Sequence, residues 1–163
     1  MKKRDIIFNK YHGKCAYTGK LLPDDWQIDH MIPKCETLQM YHTIKNHNYI
    51  RNLLPTLKIV NHYKRGLNIE GFRDYMESFH IRLAKLPKNP KVAKSIKRKA
   101  YMFQVAEAFG ITIDKPFDGI FHFERVAMIR DKFFHERKFP DNPIFKLPII
   151  PEQAFNINGG NKI

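Results

Sequence analysis

The chain has 163 residues, 43% of them hydrophobic, with a net charge of +13 at neutral pH and a sequence pI of about 9.8. That is enough for one packed domain, or for a small catalytic module with an appendage, and the charge implies a polyanionic partner. Two cysteines, Cys15 and Cys35, make no disulfide scaffold, and no apolar run reaches the length of a membrane span or a secretory leader, so the expectation is a soluble, cytoplasmic protein without a membrane partner.

Charge is unevenly spread. Residues 1–66 carry 12 Lys and Arg against 5 Asp and Glu, residues 67–110 carry 9 against 4, and residues 111–163 carry 8 against 7. A nucleic-acid surface is therefore expected ahead of residue 111, with the remainder serving mainly as packing.

In chain order, Ile6, Ile7, Phe8 and Tyr11 predict a short opening helix, and Lys14 to Lys20 a turn closing at Gly19. Trp26 to Ile28 alternates as a short strand that delivers Asp29 and His30 at its end. Residues 34–51 form a long polar loop containing Lys34, Lys45 and Arg51, and a loop this long in a compact domain is more often functional than incidental. Asn52 then leads into a helix with Pro55 in its first turn and Gly66 as its left-handed cap. One face of that helix carries Leu57, Val60 and Lys64, and another carries Lys58, Asn61, His62 and Arg65.

A second helix is expected over residues 70–85 on the stripe Phe72, Tyr75, Met76, Phe79 and Leu83. A third spans 91–109, with Val92, Ile96, Ala100, Phe103 and Ala106 inward, Lys91, Lys94 and Arg98 outward, and Gly110 as cap. After a turn at residues 116–119, residues 120–126 read as a strand and 126–139 as a last helix. The fold class is α+β: a catalytic module over residues 1–69, a mainly helical extension over 70–139 packed on it, and an extended, Pro-rich tail over 140–163.

The chemistry sits in the first module. Hydrolysis of a phosphodiester needs an activated water, neutralised phosphate charge and help for the leaving 3′ oxygen. His30 is the candidate general base, since imidazole is suited to taking a proton from water at neutral pH. Asp29 and Asn61 offer two oxygen ligands, the kind of set that holds Mg²⁺ with water and phosphate oxygens completing an octahedron. Asp29 and His30 point to opposite sides of a strand, so local twist at the strand end must bring them around one phosphate. His62, one residue from Asn61, competes as the ligand from the helix and would widen metal choice toward Mn²⁺. Lys64 or Arg65 can neutralise the phosphate, and Lys34, Lys45, Arg51, Lys58, Lys94 and Arg98 are the further candidates for contact with nucleic acid.

Asp29-His30, Asn52 and Asn61, in this order and spacing, resemble the HNH (ββα-metal) endonucleases over roughly residues 10–70. The resemblance implies that His30 is the general base, Asp29 and Asn61 bind one divalent ion, and Asn52 orients the catalytic loop through backbone hydrogen bonds. It implies DNA as substrate, 5′-phosphate and 3′-hydroxyl products, and a homodimer if both strands are cut. Many members brace the site with a structural zinc on two Cys-x-x-Cys pairs. Cys15 and Thr18, then Leu57 and Val60, stand at those positions, so no structural zinc is expected and apolar packing takes its place. The competing reading is a non-catalytic nucleic-acid-binding module on the same scaffold. A basic RNA-binding protein would explain the charge but not the clustered site.

Overall fold

The computed structural model describes residues 2–34 and 47–136, with side chains through residue 129. It is a mixed α+β arrangement: helix α1 (Lys3–Asn9), strand β1 (Gln27–His30), a 3-10 turn (Ile50–Asn52), strand β2 (Leu53–Thr56), and helices α2 (Lys58–Lys64), α3 (Ile69–Glu77), α4 (Phe79–Ala84), α5 (Ala93–Phe109) and α6 (His122–Glu136). Among the described residues no helix is long and apolar enough to cross a membrane. Residues 35–46, including Lys45, and residues 137–163, including the expected tail, lie outside the described set.

β1 and β2 pair antiparallel with His30 opposite Leu53 and Asp29 opposite Leu54. The pleat sorts their side chains between two layers. Ile28 and Leu53 pack with Ile7, Phe8, Leu22 and Trp26 on the α1 side, where Arg4 lies 3.9 Å over the Trp26 ring. Leu54 faces the larger core, with Cys15, Tyr17, Val60, Tyr63, Phe72, Phe79, Met102, Val105 and Phe121 among its members. Residues of the expected catalytic module and of the helical extension therefore share one apolar interior.

Four local expectations need correction. Pro55 is in β2, opposite Ile28, rather than in a helix. A proline without N–H is tolerated in so short a strand, and its carbonyl still accepts from the Ala16 amide at 2.8 Å, so the 14–21 turn covers that edge. The helix expected over 70–85 breaks at Ser78: the Arg82 guanidinium takes the Tyr75 carbonyl, which a continuous helix would satisfy itself, and donates to the Ser78 hydroxyl at 2.7 Å. Residues 122–126 are helical, not a strand. Glu124 Oε2 reaches back to the Phe121 amide at 2.8 Å, an N-terminal cap, while Arg73 holds the same carboxylate at 2.5 Å. α5 is turned differently from its expected stripe, since Val92, Ile96 and Phe103 are exposed and Met102 and Val105 are buried, while Ala106 is buried as expected.

The end of α2 also differs from expectation. Arg65, not Gly66, takes the positive φ, at φ 55° and ψ −132°, a region that glycine alone enters easily. Arg65→Gly is therefore expected to raise stability by on the order of 1 kcal/mol in a urea titration, because strain of this kind costs about 1–3 kcal/mol and glycine loses part of that gain in the unfolded chain. A loss of stability would show that Arg65 is not strained.

Candidate active site

The centre of the site is a buried carboxylate. Asp29 Oδ2 accepts from the Tyr17 hydroxyl at 2.5 Å and lies 3.1 Å from Lys64 Nζ, and Oδ1 lies 3.3 Å from the same ammonium. Lys64 Nζ also donates to the His30 carbonyl at 3.0 Å. Lys64 and Asp29 are 0% and 5% exposed, so the charges lie in a low-dielectric interior where each is tolerated only because the other is present. Burial first, then the Asp29 charge, pushes the Tyr17 phenol well above its ordinary range and keeps it a neutral donor.

Lys64 is thus corrected as a nucleic-acid contact. Helical spacing placed it on the face of Leu57 and Val60, and that face is buried against β1, so its ammonium serves Asp29 rather than a phosphate. Asn61, which spacing set on another face, also reaches the strand, its Nδ2 donating to Gln27 Oε1 at 2.7 Å. His62 is exposed on the other side of α2, which removes it from Asp29 and leaves Asn61 as the residue facing the strand.

The twist expected to bring Asp29 and His30 together is not seen. Pairing persists through His30 opposite Leu53, so the pleat still alternates at that residue. Asp29 faces α2, His30 faces the α1 side, and the two share no ion pair or hydrogen bond. His30 Nε2 lies 2.9 Å from Asn48 Oδ1. With Asn48 Oδ1 as the acceptor, the ring donates through Nε2–H, and the neutral tautomer that does so leaves Nδ1 as its acceptor atom.

Asn52 is fully buried and spends its amide on the backbone. Oδ1 accepts from the Ile32 amide at 2.7 Å, and Nδ2 donates to the Ile32 and His47 carbonyls at 3.0 and 2.9 Å. Those bonds close both ends of the 32–47 connection onto the start of β2 and so hold the turn that follows His30. The Met31 amide adds a bond to the Asn52 carbonyl at 2.9 Å.

The oxygens of Asp29 and Asn61 are of the type that Mg²⁺ takes, but the arrangement does not fit an ion. Both Asp29 oxygens are engaged, and a cation there would lie against a buried ammonium. Among the described residues no three His, Cys, Asp or Glu side chains are grouped to share an ion. At the positions of the family's zinc pairs, Cys15 and Val60 are fully buried and Leu57 packs against the same core, with Cys15 Sγ 3.6 Å from Thr56 Oγ1.

Of the remaining basic candidates, Lys34, Arg51, Arg65, Lys94 and Arg98 are exposed, and Lys58 is exposed beside Asp25 at 3.8 Å. Sequence reasoning missed Tyr17, Gln27 and Asn48. Tyr17 carried one signal, since a buried tyrosine needs a partner for its hydroxyl, but nothing local names that partner as Asp29. No family model, curated protein or solved structure matches the chain.

Asn52→Ala is expected to cost about 1–3 kcal/mol, from buried backbone groups left unpaired, and to speed hydrogen exchange at the Ile32 amide. Unchanged exchange there would mean that the side chain does not hold the loop.

Proposed function

We propose that the protein is a DNA endonuclease of the HNH, ββα-metal type, cutting phosphodiester bonds to leave 5′-phosphate and 3′-hydroxyl ends. One arrangement supports the reading: a strand ending in His30, a connection clamped by Asn52, a second strand, and a helix whose Asn61 and Lys64 face the first strand. In this reading His30 Nδ1 takes a proton from water, the water oxygen bonds to phosphorus, and the bond to the 3′ oxygen breaks. The leaving 3′ oxygen takes a proton from solvent water to become the hydroxyl, and His30 returns its proton to solvent. Asn48 holds the ring through Nε2, and the exposed cations Lys34 and Arg65 border the phosphate.

The divalent ion of the family, Mg²⁺ or Mn²⁺, belongs to the proposal through the resemblance alone, because it would have to displace Lys64 from Asp29. That same engagement of Asp29 favours the second reading, a nucleic-acid-binding module on the same scaffold without cleavage.

The test is nicking of supercoiled plasmid by wild type and His30→Ala in Mg²⁺, Mn²⁺ or EDTA, with a gel shift beside it. Wild type is expected to nick with metal, and the variant to fall at least about 100-fold while still shifting DNA, as loss of a general base requires. DNA retained without cutting in any metal would favour the binding module, and equal cutting by the variant would remove His30 as the base.

A further inference from the structure

From Ser78 to Ala106 the chain holds eight Lys and Arg and no Asp or Glu. α5 occupies the second half of this stretch, and among the described residues only its C-terminal half contributes buried side chains. No residue of α5 ahead of Met102 is buried, while Met102, Val105, Ala106 and Ala108 are. On a helix of 3.6 residues per turn, Met102, Val105 and Phe109 continue toward the N-terminus as Arg98 and Lys94, with Lys91 just ahead of the first turn. The face that enters the core therefore becomes cationic where the helix leaves it. Arg98 and Lys94 stand roughly 6 Å apart along the axis, on the side of the body rather than on the outer side with Val92 and Ile96.

That side leads to the candidate site. Tyr101, one turn from Arg98, sets its ring 6.0 Å from that of Tyr63 of α2, tilted at 46° to it. Arg65 follows Lys64, whose ammonium holds Asp29 and the His30 carbonyl. Lys91, Lys94 and Arg98 are exposed and form no ion pair among the described residues. The cations Lys58, Arg73 and Arg125, by contrast, each pair with a carboxylate.

We propose that the unpacked half of α5 is a seat for the phosphate backbone of duplex DNA, with Lys91, Lys94 and Arg98 leading the strand past Arg65 to the end of β1. It rests on the nucleic-acid side of the proposed function and not on cleavage. Charge complementarity selects the occupant: a row of unpaired cations on the body side of a helix matches a polyanion that lies along it. A membrane surface would instead engage the outer stripe of Val92, Ile96 and Phe103, beside which Lys99 lies, while Lys91, Lys94 and Arg98 lie on the opposite side of the helix.

The experiment is fluorescence anisotropy of a labelled duplex in EDTA, so that no cleavage enters the reading, over a series of salt concentrations. It compares the full-length protein with two triple variants. One is Lys91→Gln, Lys94→Gln, Arg98→Gln, and the other removes equal charge elsewhere through Lys2→Gln, Lys20→Gln, Lys115→Gln. Each lost phosphate contact lowers the slope of log K against log salt by about 0.9, so the first variant should lose nearly 3 and bind at least about 10-fold more weakly at moderate salt. The second should lose less than about 1. Equal losses in the two variants, or none in the first, would overturn the seat. So would vesicles of anionic lipid binding wild type but not the first variant while both hold DNA alike, since that would assign the surface to a membrane. A protein that keeps this DNA pattern but never nicks plasmid would retain the seat and lose the nuclease.

Discussion

The pairing of Asp29 with Lys64 is the contact on which the rest of the site depends. It joins the only described strand pair to α2, and through the Tyr17 hydroxyl it joins both to the aromatic core. Removing two charges from water costs several kcal/mol each, and their attraction repays that only with full hydrogen bonding. The bonding is nearly full, because the ammonium meets both carboxylate oxygens and the His30 carbonyl, and the carboxylate takes the phenol as well. Such a pair adds less to stability than to uniqueness. A one-residue slip of β1 would turn Asp29 to the α1 face and leave Lys64 buried without a counter-charge.

Function and this pair are linked by one question of charge. A buried carboxylate needs a cation, and in the HNH reading that cation is a divalent ion, whereas the chain itself supplies Lys64. His30 is positioned by separate means, on the opposite face of β1, by Asn48 and by the loop that Asn52 closes. The imidazole and the carboxylate are thus built independently, and the basic half of α5 is a third element separate from both. These parts need not share a fate: in the nuclease reading, a change at Asp29 alters metal use and leaves the imidazole and the proposed DNA seat in place.

Much of the local structure was legible from residue order. α1, the turn at Gly19, the strand before Asp29 and the Gly110 cap of α5 all follow from punctuation and periodicity. What failed depended on partners far along the chain. Ser78 breaks a good helical pattern because Arg82 reaches back to Tyr75, and residues 122–126 turn helical because Glu124 caps them under Arg73. α5 buries Met102 and Val105 in the core that Tyr63 of α2 also joins, and among the described residues Val92 and Ile96 stay exposed. At the site, Asn52 bonds the backbone as its position implies. The burial of Lys64 was contained in its spacing from Leu57 and Val60, but its countercharge was not, because strand Asp29 and turn Tyr17 meet it only in three dimensions.

The most direct measurement is a double-mutant cycle on Asp29→Asn and Lys64→Met, with stability from urea unfolding of wild type, both single variants and the double variant. A buried, mutually dependent pair should make Lys64→Met cost about 3–5 kcal/mol and the double variant cost much less than the sum, a coupling of at least about 2 kcal/mol. Additive losses with coupling below about 0.5 kcal/mol would mean that the two charges do not depend on each other, as in a solvated pair, and that Asp29 is free for another cation.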